Sequence, residues 1–269
     1  MTPDLVIAIP TCPRLRDGVP AGYLTRTLTT LNRALRMDPF LLVEVLIMDC
    51  SAPGDIHEEL NAVMADGMAP PTSQVFKRQG PFVPPSKAPT KSIAYQQSLD
   101  FIELMEKAYA FGSPWILRIE DDGLCSEPFA SRMIRFASRY PHCPLFSLFS
   151  IRLRFDGQTT PHYTGAVALL FPTQKIPLSL ATVRSVLNDT PFDVALGNLD
   201  ALALFPSFFQ HIGQVSSSGV LYSHNMETSP TFRPRHTILA RLQSQFRVAA
   251  LMAREGVRRY LIRPVTGKK

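Results

Sequence analysis

Three adjacent carboxylates, Glu120, Asp121 and Asp122, follow the apolar run Trp115 to Ile119 and precede Gly123. Like charges this close repel, and taking them out of water is costly. One reading is a solvated turn at the end of a strand. The other is a hard-oxygen site for a divalent cation, with a diphosphate completing its coordination. A cation so held would neutralise phosphates and stabilise a nucleoside diphosphate as it leaves. Side chains alternate along extended backbone, so Glu120 and Asp122 share a face and Asp121 points elsewhere. The triplet by itself leaves both readings open.

Two other apolar runs end on polar groups, "IPTCPR" at residues 9–14 and "MDCS" at 48–51. In open α/β sheets, ligands bind beyond the carboxyl ends of the strands, so three such ends converging would form a nucleotide site. Neither GxGxxG nor GxxxxGK[ST] is present, which argues against a dinucleotide binder or a P-loop enzyme.

The elements that must position these ends read as an α/β alternation. "DLVIAIPT" and "LLVEVLIMDCS" are buried strands of parallel type. Between them Leu24, Leu28, Leu31 and Leu35 recur at helical spacing. "DIHEELNAVMA" is a second helix with Asp55 as its expected N-cap. The proline-rich stretch 69–90 is loop with one short strand at "SQVFK". A long helix follows from Lys91, closed by Gly112, and feeds "WILRIEDD". "SEPFASRMIRFASRY" is a helix expected to be capped by Ser126. "PLFSLFSIRL" and "YTGAVALLFPT" are strands around a turn at Asp156-Gly157. "IPLSLATVRSVLND" and "PFDVALGNLDALAL" are helical, and "PSFFQHIGQVSSSG" is a loop crossing back. The expected fold is α/β, a mainly parallel mixed sheet flanked by helices.

The 269 residues carry a formal charge of +6 and are 45% hydrophobic, enough for a sizeable core. A basic chain could suit nucleic acid, an anionic membrane or an anionic nucleotide. No aromatic-interleaved basic stripe, zinc-finger spacing or helix-turn-helix pattern supports nucleic acid, so no nucleic-acid partner is expected. Cys12, Cys50, Cys125 and Cys143 contain no CxxC, which fits a reducing, intracellular setting. The run "LVIAI" ends at Pro10 and is too short for a leader or a span.

Four blocks, "IPTCPR…YLTRTLTTL", "QQSLDFIELM", "ILRIEDD" and "FPSFFQHIGQVSS", together resemble the N-acetylglucosaminyltransferase IV family. They occur in the family's order, between residues 5 and 218, and "FQHIG…SS" is the most specific. The family's pattern has an "IPT" strand end, a "QNLD" helix, an "LEDD" strand end and a "PSLFQHVGxxSS" loop. The resemblance implies a GT-A-type, metal-dependent glycosyltransferase that uses UDP-GlcNAc, with Mn2+ or Mg2+ as its cation. Glu120, Asp121 and Asp122 then match the acidic motif, Asp122 touching the metal and Glu120 and Asp121 lying beside the donor. His211 would be a second metal or diphosphate ligand, or else a buried imidazole bonded to a backbone carbonyl.

Pro10, Thr11 and Arg14 fall where the nucleotide enters, and Arg14 could pair with the diphosphate or remain a solvated loop charge. Gln97, in "QQSLD", belongs to the same donor site. "PFDVALGNLD" resembles the family's "PIDWLLD", making Asp193 the candidate general base of an inverting transfer, with Asp200 as alternate. Asp193 could instead simply cap a helix. Gly165-Ala166 would let the donor sugar approach backbone, although a bulge explains a glycine there as well. Ser216, Ser217 and Ser218 form a polar loop near the donor phosphates.

The family continues into a further domain after the "SS" loop, whereas this chain runs into residues 234–262, rich in arginine with a single acid, Glu255. The expected organisation is a transferase domain at 1–232 and a basic amphipathic helix with its tail at 233–269. That helix either packs on the sheet or, through residues 235–263, lies on an anionic membrane near a lipid-linked acceptor. The expected partners are a UDP-sugar donor and a glycan or glycolipid acceptor. The expected location is cytoplasmic, at most peripheral to a membrane, and Golgi-lumenal only if an upstream anchor was removed. A non-catalytic nucleotide-sugar-binding protein and a metal-dependent nucleotidyltransferase are the alternatives.

Overall fold

A computed structural model describes residues 1–83, 89–149, 166–204, 207–213 and 232. In chain order, β1 (Leu5–Thr11) leads through a small hairpin, β2 (Leu15–Arg16) and β3 (Val19–Pro20), into α1 (Tyr23–Arg36). Next come β4 (Val43–Asp49), α2 (Glu58–Ala65), β5 (Ser73–Lys77) and α3 (Pro89–Tyr109). The middle of the chain forms β6 (Trp115–Ile119), β7 (Gly123–Cys125), α4 (Ala130–Ala137) and β8 (Phe146–Ser147). Then follow β9 (Ala168–Pro172), α5 (Ile176–Ser185), α6 (Phe192–Leu196), β10 (Leu202–Ala203) and β11 (Phe209–His211).

Seven strands form the main sheet in the order β10-β8-β9-β6-β1-β4-β5. The run from β6 through β1 and β4 to β5 is parallel, and β9 lies antiparallel to both of its neighbours. This is the mixed, mainly parallel α/β sheet expected from the sequence. Each face is covered, which is why β1 reads as an unbroken apolar run. Leu5, Ile7 and Ile9 pack with Leu24, Leu28 and Leu31 of α1, Leu60 of α2 and Met133 of α4. Val6 and Ala8 face the other way, onto Phe101 and Leu104 of α3, Leu180 of α5 and Phe192 of α6. No helix among the described residues is long and apolar enough to cross a membrane.

Several local expectations change. The N-cap of α2 is His57, whose side chain accepts from Leu60 N, so Asp55 is not the cap. Ser126 does not cap α4. Its backbone N–H donates to Phe208 O, and the carboxylate of Asp38 accepts from Ala130 N and Ser131 N at the start of that helix. "PFDVALGNLDALAL" gives only the five residues of α6 before turning into β10. The supposed loop "PSFFQHIG" contains β11, paired antiparallel with β7. Gly112, at φ +69°, closes α3 as expected, since only a residue without Cβ adopts that conformation freely. The Asp156-Gly157 turn, Gly165, Ser216 to Ser218 and the basic segment 233–269 lie outside the described residues.

Candidate functional site

The carboxyl ends of β1, β4 and β6 open onto one cleft of about 360 Å³. Its walls include Pro10, Thr11 and Arg14 beyond β1, Cys50 and Ser51 beyond β4, and Glu120 and Asp121 beyond β6. α3 contributes Gln97, and Ala166 and Asp193 complete the opposite wall. Eight of the residues singled out from the sequence therefore face one space.

At the end of β6, a sharp turn carries the chain from Glu120 into β7, with Gly123 N donating to Glu120 O. The pairing of β7 with β11 sets His211 opposite Gly123, and Ile212 N donates to Asp122 O. One side-chain ligand atom each from Glu120, Asp122 and His211 lies within 4.8 Å of the others. That outcome agrees with the shared face expected for Glu120 and Asp122. Asp122 is 1% exposed, and its Oδ1 is buried without a hydrogen-bond partner among the described residues. A buried, unpaired carboxylate oxygen is expensive unless something positive completes it. Two carboxylates and one imidazole are a mixed oxygen and nitrogen donor set that can hold a first-row divalent cation such as Mn2+, so these residues fit a divalent cation.

Gly213 tightens the cluster. A Cβ there would fall inside the contact radius of Asp122 Oδ2, 3.0 Å from its Cγ and 3.1 Å from His211 Nε2. The glycine lets backbone lie directly against both side chains. Gly213→Ala is therefore expected to weaken Mn2+ binding by about 10- to 100-fold, the range seen when groups that orient metal ligands are lost. Titration calorimetry with Mn2+ checks this, and unchanged affinity would remove the cluster as a cation site.

Asp121 serves a different purpose. Its Oδ2 accepts from Thr11 Oγ1 at 2.8 Å and its Oδ1 from Arg14 Nη2 at 2.5 Å. Arg14 Nη1 donates to Asp122 Oδ2 at 2.5 Å, so one guanidinium spans both aspartates. Arg14 is thus neither a solvated loop charge nor free of the acidic triplet. Burial pushes the Asp121 carboxyl up, partly opposed by Arg14 and reinforced by the charge on Asp122. Burial acts the same way on Asp122, yet Arg14 and His211 outweigh it and hold that carboxyl below its usual range. The triplet is consequently no solvated turn: two of its three acids are buried and fastened.

No family model matches the chain. No curated protein matches it either. Among solved structures, it is similar to S. aureus TarS, at a TM-score of 0.44 and 12% identity, over 78% of this chain and 37% of that one. The structure of TarS 1–349 in complex with UDP gives a TM-score of 0.45 and 12% identity, over 77% of this chain and 59% of that one. Galactosyltransferase LgtC, in complex with donor and acceptor sugar analogs, gives 0.41 and 12%, over 74% and 72% of the two chains. The chain spans less than two thirds of either TarS structure. Likeness at this level concerns the course of the chain and carries no argument about chemistry.

The remaining predicted residues divide. Asp193 sits in the first turn of α6 and faces the cleft, its Oδ1 accepting from Val194 N at 2.9 Å. The position before that helix is Pro191, so Asp193 is not its N-cap. Asp200 is exposed, is absent from the cleft walls, and meets Cys143 through its backbone oxygen. Of the two candidate bases, Asp193 is the one that lines the cleft. Gln97 is exposed at the cleft, whereas its neighbour Gln96 is buried, bonding Asp100 and Val83 N.

Two arginines escaped the sequence reading. Arg78 donates to both oxygens of Asp100, at 2.9 and 3.2 Å, and to the carbonyls of Cys50 and Ser51. Arg118, 5% exposed in the middle of β6, donates to Ala166 O and to Glu120 Oε1 at 3.3 Å. Its guanidinium also covers the Phe192 ring at 5.0 Å. An arginine inside an apolar strand pattern was the only signal available. It ties the carboxylate cluster to the helix that carries Asp193.

Proposed function

We propose that the chain is a GT-A-type glycosyltransferase that transfers a sugar from a UDP-sugar donor to a hydroxyl of a glycan or glycolipid, with inversion. The observation that carries this reading is the cluster of Glu120, Asp122 and His211, joined through Glu120 to the cleft formed by parallel strand ends. Glu120, Asp122 and His211 would hold Mn2+ or Mg2+, whose charge would offset that of the diphosphate. Arg14 would add positive charge on the same side, and Asp193 would take the proton of the acceptor hydroxyl. The donor sugar would lie between them, against Ala166. UDP-GlcNAc is the proposed donor, on the motif resemblance to the N-acetylglucosaminyltransferase IV family. A cytoplasmic location with peripheral membrane contact through residues 235–263 belongs to the same proposal.

A thermal-unfolding panel of nucleotide sugars with and without Mn2+ tests it. UDP-GlcNAc is expected to raise the melting temperature only when Mn2+ is present. Ligand at a hundred times its Kd stabilises by about 2.7 kcal/mol, a readable shift. Absence of stabilisation by every nucleotide sugar with metal would sink the reading. Binding without turnover across a broad acceptor screen would favour a non-catalytic nucleotide-sugar-binding protein.

A further inference from the structure

His57 is 4% exposed and lies at the start of α2. Its Nε2 is 3.0 Å from Thr11 Oγ1, and its Nδ1 is 3.3 Å from Leu60 N. The protons in this chain of contacts can be counted. Thr11 has one hydroxyl proton, and it points to Asp121 Oδ2, an acceptor that offers no proton when ionised. The hydroxyl must therefore accept from His57, which places a proton on Nε2. Leu60 N–H is a donor, so Nδ1 must keep its lone pair. Both contacts are satisfied only by the neutral Nε2–H tautomer. Burial independently holds the imidazole below its usual range. The far side of Asp121 receives Arg14, which in turn reaches Asp122.

We propose that His57 is a positioning residue for the cleft: through the Thr11 hydroxyl it fixes Asp121 as the anchor of Arg14, and with it the acidic end that a diphosphate and its cation meet. The ligand named here rests on the glycosyltransferase reading. The link itself rests on the hydrogen bonds. Removing the Nε2–H leaves the Thr11 hydroxyl free to rotate, so Asp121 loses its fixed donor and Arg14 its fixed counter-charge. Loss of one such hydrogen bond is expected to weaken affinity by about tenfold, equivalent to about 1.4 kcal/mol.

Two substitutions separate positioning from capping. His57→Asn puts an amide oxygen near Nδ1 and keeps the cap, but has nothing to donate to Thr11. His57→Gln carries an amide N–H out to the place of Nε2 and gives up the cap. The measurements are thermal unfolding, titration calorimetry with Mn2+ alone and with UDP plus Mn2+, and 15N NMR of the imidazole. His57→Asn is expected to unfold near the wild-type temperature and to bind UDP with Mn2+ about tenfold more weakly. His57→Gln is expected to unfold earlier and to bind within about threefold of wild type. The NMR spectrum is expected to show the Nε2–H tautomer. Wild-type affinity in His57→Asn, equal weakening in both variants, or the Nδ1–H tautomer would each overturn the proposal. If His57→Asn does not fold, Thr11→Val against Thr11→Ser reads the same hydroxyl, only the serine being expected to retain affinity. If the wild-type chain binds no UDP, the glycosyltransferase reading fails, and the tautomer with the Mn2+ titrations still decides the role of His57.

Discussion

Asp122→Asn is expected to lower sugar transfer by about a thousandfold and to remove the Mn2+ dependence of UDP binding. Asparagine matches the carboxylate in shape, so the consequence is electrostatic rather than steric. Its amide oxygen can still accept from Arg14 Nη1, now bonded to Asp122 Oδ2 at 2.5 Å. Its amide nitrogen can occupy the place of Oδ1, which has no partner among the described residues. The fold should therefore persist, with Arg14 still paired to Asp121. What disappears is the one acid of the proposed cation cluster that is almost wholly buried. The measurements are initial rates of transfer and donor hydrolysis, with UDP calorimetry across a Mn2+ series. Rates within tenfold of wild type would show that Asp122 holds no cation.

Asp193→Asn is the second large effect, and it should divide the kinetic constants differently. Removal of a general base typically costs between about a hundredfold and ten-thousandfold in rate. Asp193 lines the cleft but does not belong to the cation cluster. UDP affinity and the donor KM should stay close to wild type while kcat for transfer collapses. An interaction made only in the transition state has this signature, whereas a lost ground-state contact would raise KM instead. Asp200→Asn provides the control, since its side chain is exposed and away from the cleft. A collapse in Asp200→Asn with Asp193→Asn unaffected would reverse the assignment.

The parts of the site legible in the sequence were those whose signal is local. β1 and α1 announced themselves by a continuous apolar run and by leucines every three or four residues. The strand-end acids followed from where β6 had to stop. Contacts made across the fold were not legible. The cap of α4 comes from Asp38, 92 residues away from Ala130, and no local pattern encodes it. His57 rather than Asp55 caps α2 because the helix begins at Glu58, which leaves Asp55 two residues before the cap position. In the stretch 191–204 the apolar spacing fits a helix throughout, but only Phe192–Leu196 is helical, because pairing with β8 turns Leu202 and Ala203 into strand. Gly213 stood inside a quoted motif, yet its importance depends on Asp122, 91 residues earlier.

α6 has one more implication. Five residues are too few to pay the entropic cost of helix nucleation alone. What keeps this turn wound is Phe192, its ring stacked on Phe101 at 4.8 Å and covered by Arg118. The placement of Asp193 is thus borrowed from α3 and β6 rather than owned by its own helix. In evolutionary terms, drift at Phe101 would reach the chemistry without touching any reacting atom.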